Sequence, residues 1–428
     1  QPCSSAASDV YKRQMLTFKE FLLEDKNGKN LHLEHLEDEI LNFGIGGGRG
    51  AINFLQELRN MLSGQSSGAV NMSVKWDGAP AIFAGIDPSD GKFFVAKKSV
   101  FNVNPKLYKT NADIDSDLSG DLNKKFKVAL KEFPKLGIKN VIQGDLMFTS
   151  GDLNKGKIDG QEVVTFQPNT IVYSAPTDSD LGRQFIKAKI GVVWHTTYEG
   201  DSLPSMSASF GVNTKTLNKV NTIWMDDASY KDVSGKATFT QSETDEITKV
   251  LSTTGSVFRR INSSLLGKFL KLQGSMTGNL SGASLKTYNN TKVRQGEEIK
   301  NVKQHAQGYL QHIEMHFEKL KQKVKTQGAK DKFDRNKKEY VREFSKHIRN
   351  LENILLFQNG IVAAKMMIVN KLNSVRQLTD TFIKTAKGYK VVNPEGYVAI
   401  DKSGKAVKLV DRMEFSYNNF TAIKNWDK

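Results

Sequence analysis

The chain has 428 residues, long enough for two or three domains with a sizeable core. Hydrophobic residues make up 38% and charged residues 25%, the balance of a globular chain and not of a disordered or fibrous one. A net charge of +16 favours a polyanionic partner, no apolar run reaches the roughly 18 residues of a membrane span, and the single cysteine, Cys3, excludes internal disulfides and cysteine-based zinc sites.

Residues 1–14 have neither a helical nor a strand period and lack the apolar centre of a signal peptide. They resemble translated sequencing-adapter read-through, so Met15 is the expected start. Residues 15–65 predict an N-terminal helical segment. Leu16, Phe18, Phe21 and Leu22 have helical spacing. Leu31–Phe43 predicts a second helix, and Ala51–Leu62 a third with Ile52, Phe54, Leu55, Leu58 and Leu62 on one side. The glycine run Gly44–Gly50 lacks the Gly-Lys-Ser/Thr ending of a phosphate loop and is expected to stop a helix and act as a linker. His32 and His35 are expected at the surface.

Residues 66–240 change to a strand period. Val70–Trp76, Ala79–Ile86 and Lys92–Val100 predict a meander, with turn residues at Asp87–Gly91. Asp121–Phe133 predicts a helix, and Val141–Thr149, Glu162–Phe166, Thr170–Ser174 and Ile190–Thr196 predict strands. Their short, irregular connections favour an antiparallel α+β arrangement over βαβ units. Residues 201–240, rich in Ser, Thr and Asp, show no period that assigns them.

Residues 241–387 predict a helical, basic insertion. It begins with Ile247, Val250 and Leu251 and ends in the apolar series Leu351, Ile354, Leu355, Val362, Ile368, Val369 and Leu372. Residues 318–349 hold twelve Lys/Arg against five Asp/Glu, a net of +7. Phe317, Phe333, Tyr340 and Phe344 are interleaved, which suits phosphate contacts with base stacking, or a solvated face over core aromatics. His305, His312 and His316 share a helical face and are expected at phosphates or at the surface, in preference to a metal. Residues 388–428 return to strands, Val391–Ile400 and Ala406–Val410, around the turn Asp401–Gly404.

The chemistry gathers at Lys75-Trp-Asp-Gly78, where the first strand ends. A lysine held there can attack phosphorus when burial or neighbouring cations free its amine. Downstream, in order, come Phe93-Phe-Val-Ala-Lys-Lys-Ser99, Val141-Ile-Gln-Gly-Asp-Leu-Met-Phe148, Phe166-Gln-Pro-Asn-Thr-Ile-Val-Tyr173 with Ile190-Gly-Val-Val-Trp194, Pro394-Glu-Gly-Tyr-Val-Ala-Ile400, and Lys405-Ala-Val-Lys-Leu-Val-Asp-Arg412. Together with the first, these resemble motifs I, Ia, III, IIIa, IV and V of the covalent nucleotidyltransferases, the superfamily of polynucleotide ligases and capping enzymes. The resemblance covers about a third of the chain. It is greatest to phage-type RNA ligases. Pro80 stands where many DNA ligases have arginine, and sixteen residues follow Arg412, where DNA ligases and capping enzymes carry an OB domain.

The resemblance implies an α+β fold: an antiparallel nucleotidyltransferase (ATP-grasp-like ligase) core with an N-terminal helical segment and a large helical insertion. It implies an ATP-dependent RNA ligase that passes through lysyl-AMP and seals 5′-phosphate to 3′-hydroxyl ends. The alternatives are a DNA ligase lacking the OB domain, or an inactive nucleic-acid-binding protein of the same fold. Lys75 takes the nucleotide and Lys408 neutralises its α-phosphate. Asp77 and Gly78 complete motif I, while Lys97 and Lys98 contact nucleotide or strand. Asp145, where the family usually has Glu, holds the ribose, and Trp194 stacks on the purine. Glu395 and Asp145 hold Mg2+ through hard carboxylate oxygens. Lys405 and Lys408, three apart, point to opposite faces of a regular strand, so Lys408 alone is assigned. The implied partners are RNA or DNA ends and not a membrane. The implied setting is the cytoplasm, that of a host if the chain is phage-encoded.

Overall fold

The glycine run expected to end a helix lies inside one. The computed structural model describes residues 35–64, 70–102, 104–229, 238–374, 379–385, 388–401 and 406–415. The leader, the helix expected at Leu16–Leu22, His32 and Lys405 lie outside them. In chain order the helices are α1 (Glu39–Leu62), α2 (Asn111–Asp117), α3 (Gly120–Glu132), α4 (Asp180–Lys187), α5 (Gln241–Arg259), α6 (Ser263–Ser275), α7 (Leu285–Arg294), α8 (Val302–Gln322), α9 (Gln327–Lys346) and α10 (Ile348–Asn373). The strands are β1 (Val70–Lys75), β2 (Ala81–Ile86), β3 (Phe93–Ala96), β4 (Val141–Thr149), β5 (Asn154–Ile158), β6 (Gln161–Phe166), β7 (Val172–Pro176), β8 (Ile190–Glu199), β9 (Ser207–Phe210), β10 (Ile223–Asp226), β11 (Asp380–Thr385), β12 (Gly388–Val391), β13 (Gly396–Asp401) and β14 (Ala406–Leu409).

α1 kinks at Gly44, whose φ of 61° favours glycine, and then continues through the rest of the run. Gly48 is needed for packing: a Cβ there would lie 2.6 Å from the Phe258 ring of α5. The run therefore allows one kink and one close helix contact and is no linker. α1 packs on α5, α6 and α10, burying Leu55, Leu58, Ile247, Leu251, Ile354 and Ile361 in a shared core. The two helical stretches, far apart in sequence, thus form one bundle.

The described strands form three sheets. β1, β13 and β14 make a small antiparallel sheet in the order β1-β13-β14. The second sheet runs β10-β8-β4-β2-β3 with β9 also on β8, and β10 lies parallel to β8. The third runs β12-β11-β7-β6-β5, all antiparallel. The expected meander therefore holds only for β2 and β3. β1 leaves it because Met72 and Val74 pack against the helical bundle and its pairing partner is β13. The helical region also ends earlier than expected. Asp380–Thr385 is β11, paired with β7 and burying Phe382.

α2 and α3 cover one face of the second sheet, where Ile82, Ile142, Leu146 and Val192 meet Phe126 and Phe133. Its other face meets the third sheet over Phe148, Phe166, Tyr173, Val193 and Trp224. The result is an α+β molecule in which a β-sandwich and a helical bundle flank the small sheet. Within the bundle Phe317, Tyr340 and Phe344 are buried, so they serve its core and not base stacking. The Nε2 atoms of His305, His312 and His316 lie 2.8, 2.7 and 2.9 Å from the oxygens of Asn289, Gly282 and Asn279. The three imidazoles thereby strap the segment before α8 onto it.

Candidate active site

Residues paired across antiparallel strands share a face, and faces alternate along each strand. Ser73 lies opposite Val398, which lies opposite Lys408, and Lys75 lies opposite Gly396. Lys75 and Lys408 therefore stand on one face of the small sheet. The other face carries Met72, Val74, Tyr397, Ala399, Val407 and Leu409 and packs on the bundle. An apolar stripe on three strands thus aims two lysines away from the helices.

Glu395, immediately before β13, is bonded through its carboxylate to Lys75 Nζ, joining groups 320 residues apart. The Glu395 side chain is buried, and that of Lys75 is about a quarter exposed. Lys408 is buried as well. The Phe415 ring lies 3.4 Å from Lys408 Nζ and 5.3 Å from Lys75 Nζ, measured to its centroid, a cation–π arrangement with both lysines.

The turn after β1 is fixed by Asp77. Its carboxylate accepts from Asn169 Nδ2 at 2.6 Å and from the backbone N–H groups of Thr170 and Ile171 at 2.7 and 2.9 Å. Its own N–H donates to the Tyr173 hydroxyl at 2.7 Å. Asp77 is thus a clamp between the lysine turn and the β6–β7 loop. Burial and then Glu395 push its carboxyl up to about 6, against these hydrogen bonds. Gly78 rests on β4. A Cβ there would lie 2.4 Å from Asp145 Cβ and 2.9 Å from Met147 Sδ, so glycine lets the turn touch the strand.

Asp145 faces this turn from the middle of β4, with a quarter of its side chain exposed. Removal from water pushes its carboxyl up to about 7; Lys75 opposes that shift, Glu395 adds to it, and Lys98 opposes it. Lys98 is exposed, and its charge reaches the site. Lys97 is instead paired with Asp117 at 3.0 Å. His195 Nε2 lies 3.9 Å from Asp145 Oδ2, and its Nδ1 lies 2.8 Å from Thr196 Oγ1. Burial, helped by the Lys75 charge, lowers His195 to about 4, so it is a neutral imidazole at pH 7.

Trp194 does not join them. It is fully buried beneath α3, edge-on to Phe133 at 5.2 Å. β8 alternates, so Ile190, Val192 and Trp194 face the helices while Val193 and His195 face the other way. A stacking role for Trp194 is therefore ruled out by its face of the strand.

A second set of buried charges holds the end of the chain to the bundle. Lys365 Nζ of α10, fully buried, meets Glu37 at 2.8 Å. Arg412, four residues beyond Lys408, takes Asp38 in a two-pronged contact at 3.1 and 3.0 Å. His35, expected at the surface, is instead largely enclosed, pairing in a backbone bridge with Lys408 and lying edge-on to Phe415. These contacts tie the Lys408 strand to α10.

A family profile described as "Family of unknown function (DUF6267)" matches residues 30–424. The chain belongs to DUF6267. No curated protein and no solved structure matches it. The span matched by DUF6267 takes in the whole constellation, from His35 through Lys75, Asp145 and Glu395 to Phe415. Of the residues expected in the site, Lys75, Asp77, Gly78, Asp145, Glu395 and Lys408 come together, with the Lys98 charge nearby. His195, Asn169, Tyr173 and Phe415 were not expected. For His195 a signal existed: it is one residue beyond Trp194, and so on the opposite face of the strand.

Proposed function

We propose that this chain is an ATP-dependent polynucleotide ligase that works through a lysyl-AMP intermediate, with RNA ends as the favoured substrate. The observation that carries this reading is the pairing of Lys75 with Glu395, on the sheet face that also holds Lys408 and beside Asp145. Acids and lysines from both ends of the sequence converge there in the order in which the motifs run.

Lys75 is the nucleophile. Its Nζ gives up a proton and attacks the α-phosphorus; the N–P bond forms as the bond to pyrophosphate breaks. Glu395 aims the amine and is placed to take the proton. Lys408 compensates charge on the α-phosphate, and Asp77 and Gly78 set the angle of the turn. In-line displacement depends on such positioning and charge compensation. A 5′-phosphate oxygen then attacks the phosphorus of lysyl-AMP; the O–P bond forms as the N–P bond breaks, and the Lys75 amine takes back a proton. A 3′ hydroxyl, losing its proton, attacks the 5′ phosphorus and AMP leaves.

Among the described residues no cluster of three His, Cys, Asp or Glu could make a metal site from protein alone. Glu395 and Asp145 nevertheless fit a magnesium ion that arrives with a nucleotide. Burial, and after it the Glu395 charge, raises the Asp145 carboxyl; a cation held there would relieve that repulsion, and Mg2+ takes one or two carboxylates alongside phosphate oxygens. Such an ion supplies charge neutralisation at the phosphates.

The test is ligation itself. RNA with a 5′ phosphate and 3′ hydroxyl should be joined in the presence of ATP and Mg2+, faster than nicked duplex DNA is sealed. Lys75→Ala should abolish joining. Joining that survives this substitution would refute the assignment.

A further inference from the structure

α9 turns a row of cations outward. Its inner side presents Tyr340 and Phe344 to the bundle core, with Phe333 packed beside them. Lys332, Arg335, Lys338, Arg342 and Lys346 recur every three or four residues, so they form one stripe on the opposite side. All five are exposed. At a rise of about 1.5 Å per residue the stripe is about 21 Å long.

The stripe is not neutralised by its own acids. Lys321 and Lys337, off its axis, are paired with Asp334 and Glu318. Arg342 reaches Glu343 at 3.3 Å. Among the described residues no carboxylate pairs with Lys332, Arg335, Lys338 or Lys346. Arg335, Lys337, Lys338 and Arg342 also line an open concavity of about 640 Å³, which Glu314 and Glu339 share without reversing its sign.

We infer that this face of α9 is a second contact surface, one that grips the sugar–phosphate backbone of the RNA without reading its sequence. The inference rests on the proposed ligase reading, and it names where the strand is held away from the reacting ends. Long side chains on an exposed helix suit a polyanion. One strand of a duplex places a phosphate about every 3.4 Å of axis, so the stripe spans about six of them. Base stacking would need free aromatic platforms, and on this helix Tyr340 and Phe344 are buried and Phe333 packs against the same core.

The experiment replaces all five cations with glutamine in the full chain. Binding of a labelled RNA oligonucleotide is titrated at several salt concentrations, single-stranded and as a duplex. Each lost contact should flatten the log–log salt slope by about 0.7 for a single strand, so the slope should fall by up to about 3.5 and affinity at low salt by at least about tenfold. Oligonucleotides of different sequence should lose affinity alike. Melting temperature and ATP-dependent labelling of Lys75 should stay at wild-type values, because neither the core face of α9 nor the lysine site is altered. An unchanged salt slope would overturn the inference. So would RNA binding that is unmoved while binding to vesicles of anionic phospholipid is lost. If the wild-type chain binds RNA through this stripe but Lys75 takes no label, the surface stands and the ligase reading falls. If Lys75 is labelled and the slope is unchanged, the reverse holds.

Discussion

Replacing Lys365 with methionine should destabilise the protein through a group it leaves behind. The Lys365 ammonium is fully buried, and its partner Glu37 is 3% exposed. Burial alone would raise the Glu37 carboxyl, but Lys365, then His35 and Arg412, hold it down at about 2. Methionine keeps much of the volume but strands a buried carboxylate, a change that costs about 3–5 kcal/mol. Arg412, 3.5 Å from Glu37, keeps part of the compensation, which favours the lower end, about 3 kcal/mol. For a unit of 150–250 residues that is a fall of about 6–12 °C in melting temperature. The double variant Glu37→Leu/Lys365→Met should recover most of the loss, since a buried pair is often matched by apolar replacements. The pH dependence follows from the sign of the shift. A carboxyl held below its ordinary value of 4.5 adds stability above that pH, and the gain is lost as pH falls towards 2. The Lys365→Met deficit should therefore be full at pH 7 and shrink below pH 4.5. Urea denaturation followed by far-UV circular dichroism at pH 7 and pH 4 measures both effects. A single-variant loss below about 1 kcal/mol, or a deficit that does not narrow in acid, would refute the reasoning.

Three further outcomes are expected. Gly78→Ala should cost about 1–3 kcal/mol by forcing the lysine turn off β4, and should reduce labelling of Lys75 by ATP in the protein that remains folded; wild-type labelling would show that the contact with Asp145 is dispensable. Asp145 keeps its proton to about pH 7 when folded but to 3.8 when unfolded, so wild-type stability falls as pH rises between those values; Asp145→Asn should melt higher than wild type at pH 8 in the presence of a chelator, and the gain should vanish near pH 4. Trp194→Phe should lower the melting temperature and leave ATP affinity unchanged by equilibrium dialysis, because the ring belongs to the core beneath α3.

Much of the β framework was legible because it is local. β4 has the limits its alternation predicts, and the helix from Gly120 lies within a residue of expectation at each end. The lysine, glycine and acids of the candidate site could be picked out because each ends or interrupts an apolar run, and the structure brings them near one another. Partners at long range were not. β1 reads like β2 and β3, and only its Met72–Val74 face, packed on the bundle that α1 shares with helices from far downstream, sends it to β13. The glycine run resembled a break because nothing local reveals that Phe258 needs Gly48 small. Trp194 was placed in the site from its motif, although the alternation of Ile190, Val192 and Trp194 already set it on the other face of β8. Phe415 carried no signal, since its ring matters only where the small sheet brings Lys75 and Lys408 together.

The most direct measurement is the identity of the residue that takes the nucleotide. The wild-type chain is incubated with ATP and Mg2+, digested without exposure to acid, and mapped by peptide mass spectrometry. AMP should be found on Lys75 alone, should be absent from Lys75→Ala, and should leave when pyrophosphate is added in excess. AMP on a different residue, an adduct that persists in Lys75→Ala, or no adduct with any of the four ribonucleoside triphosphates would contradict the account.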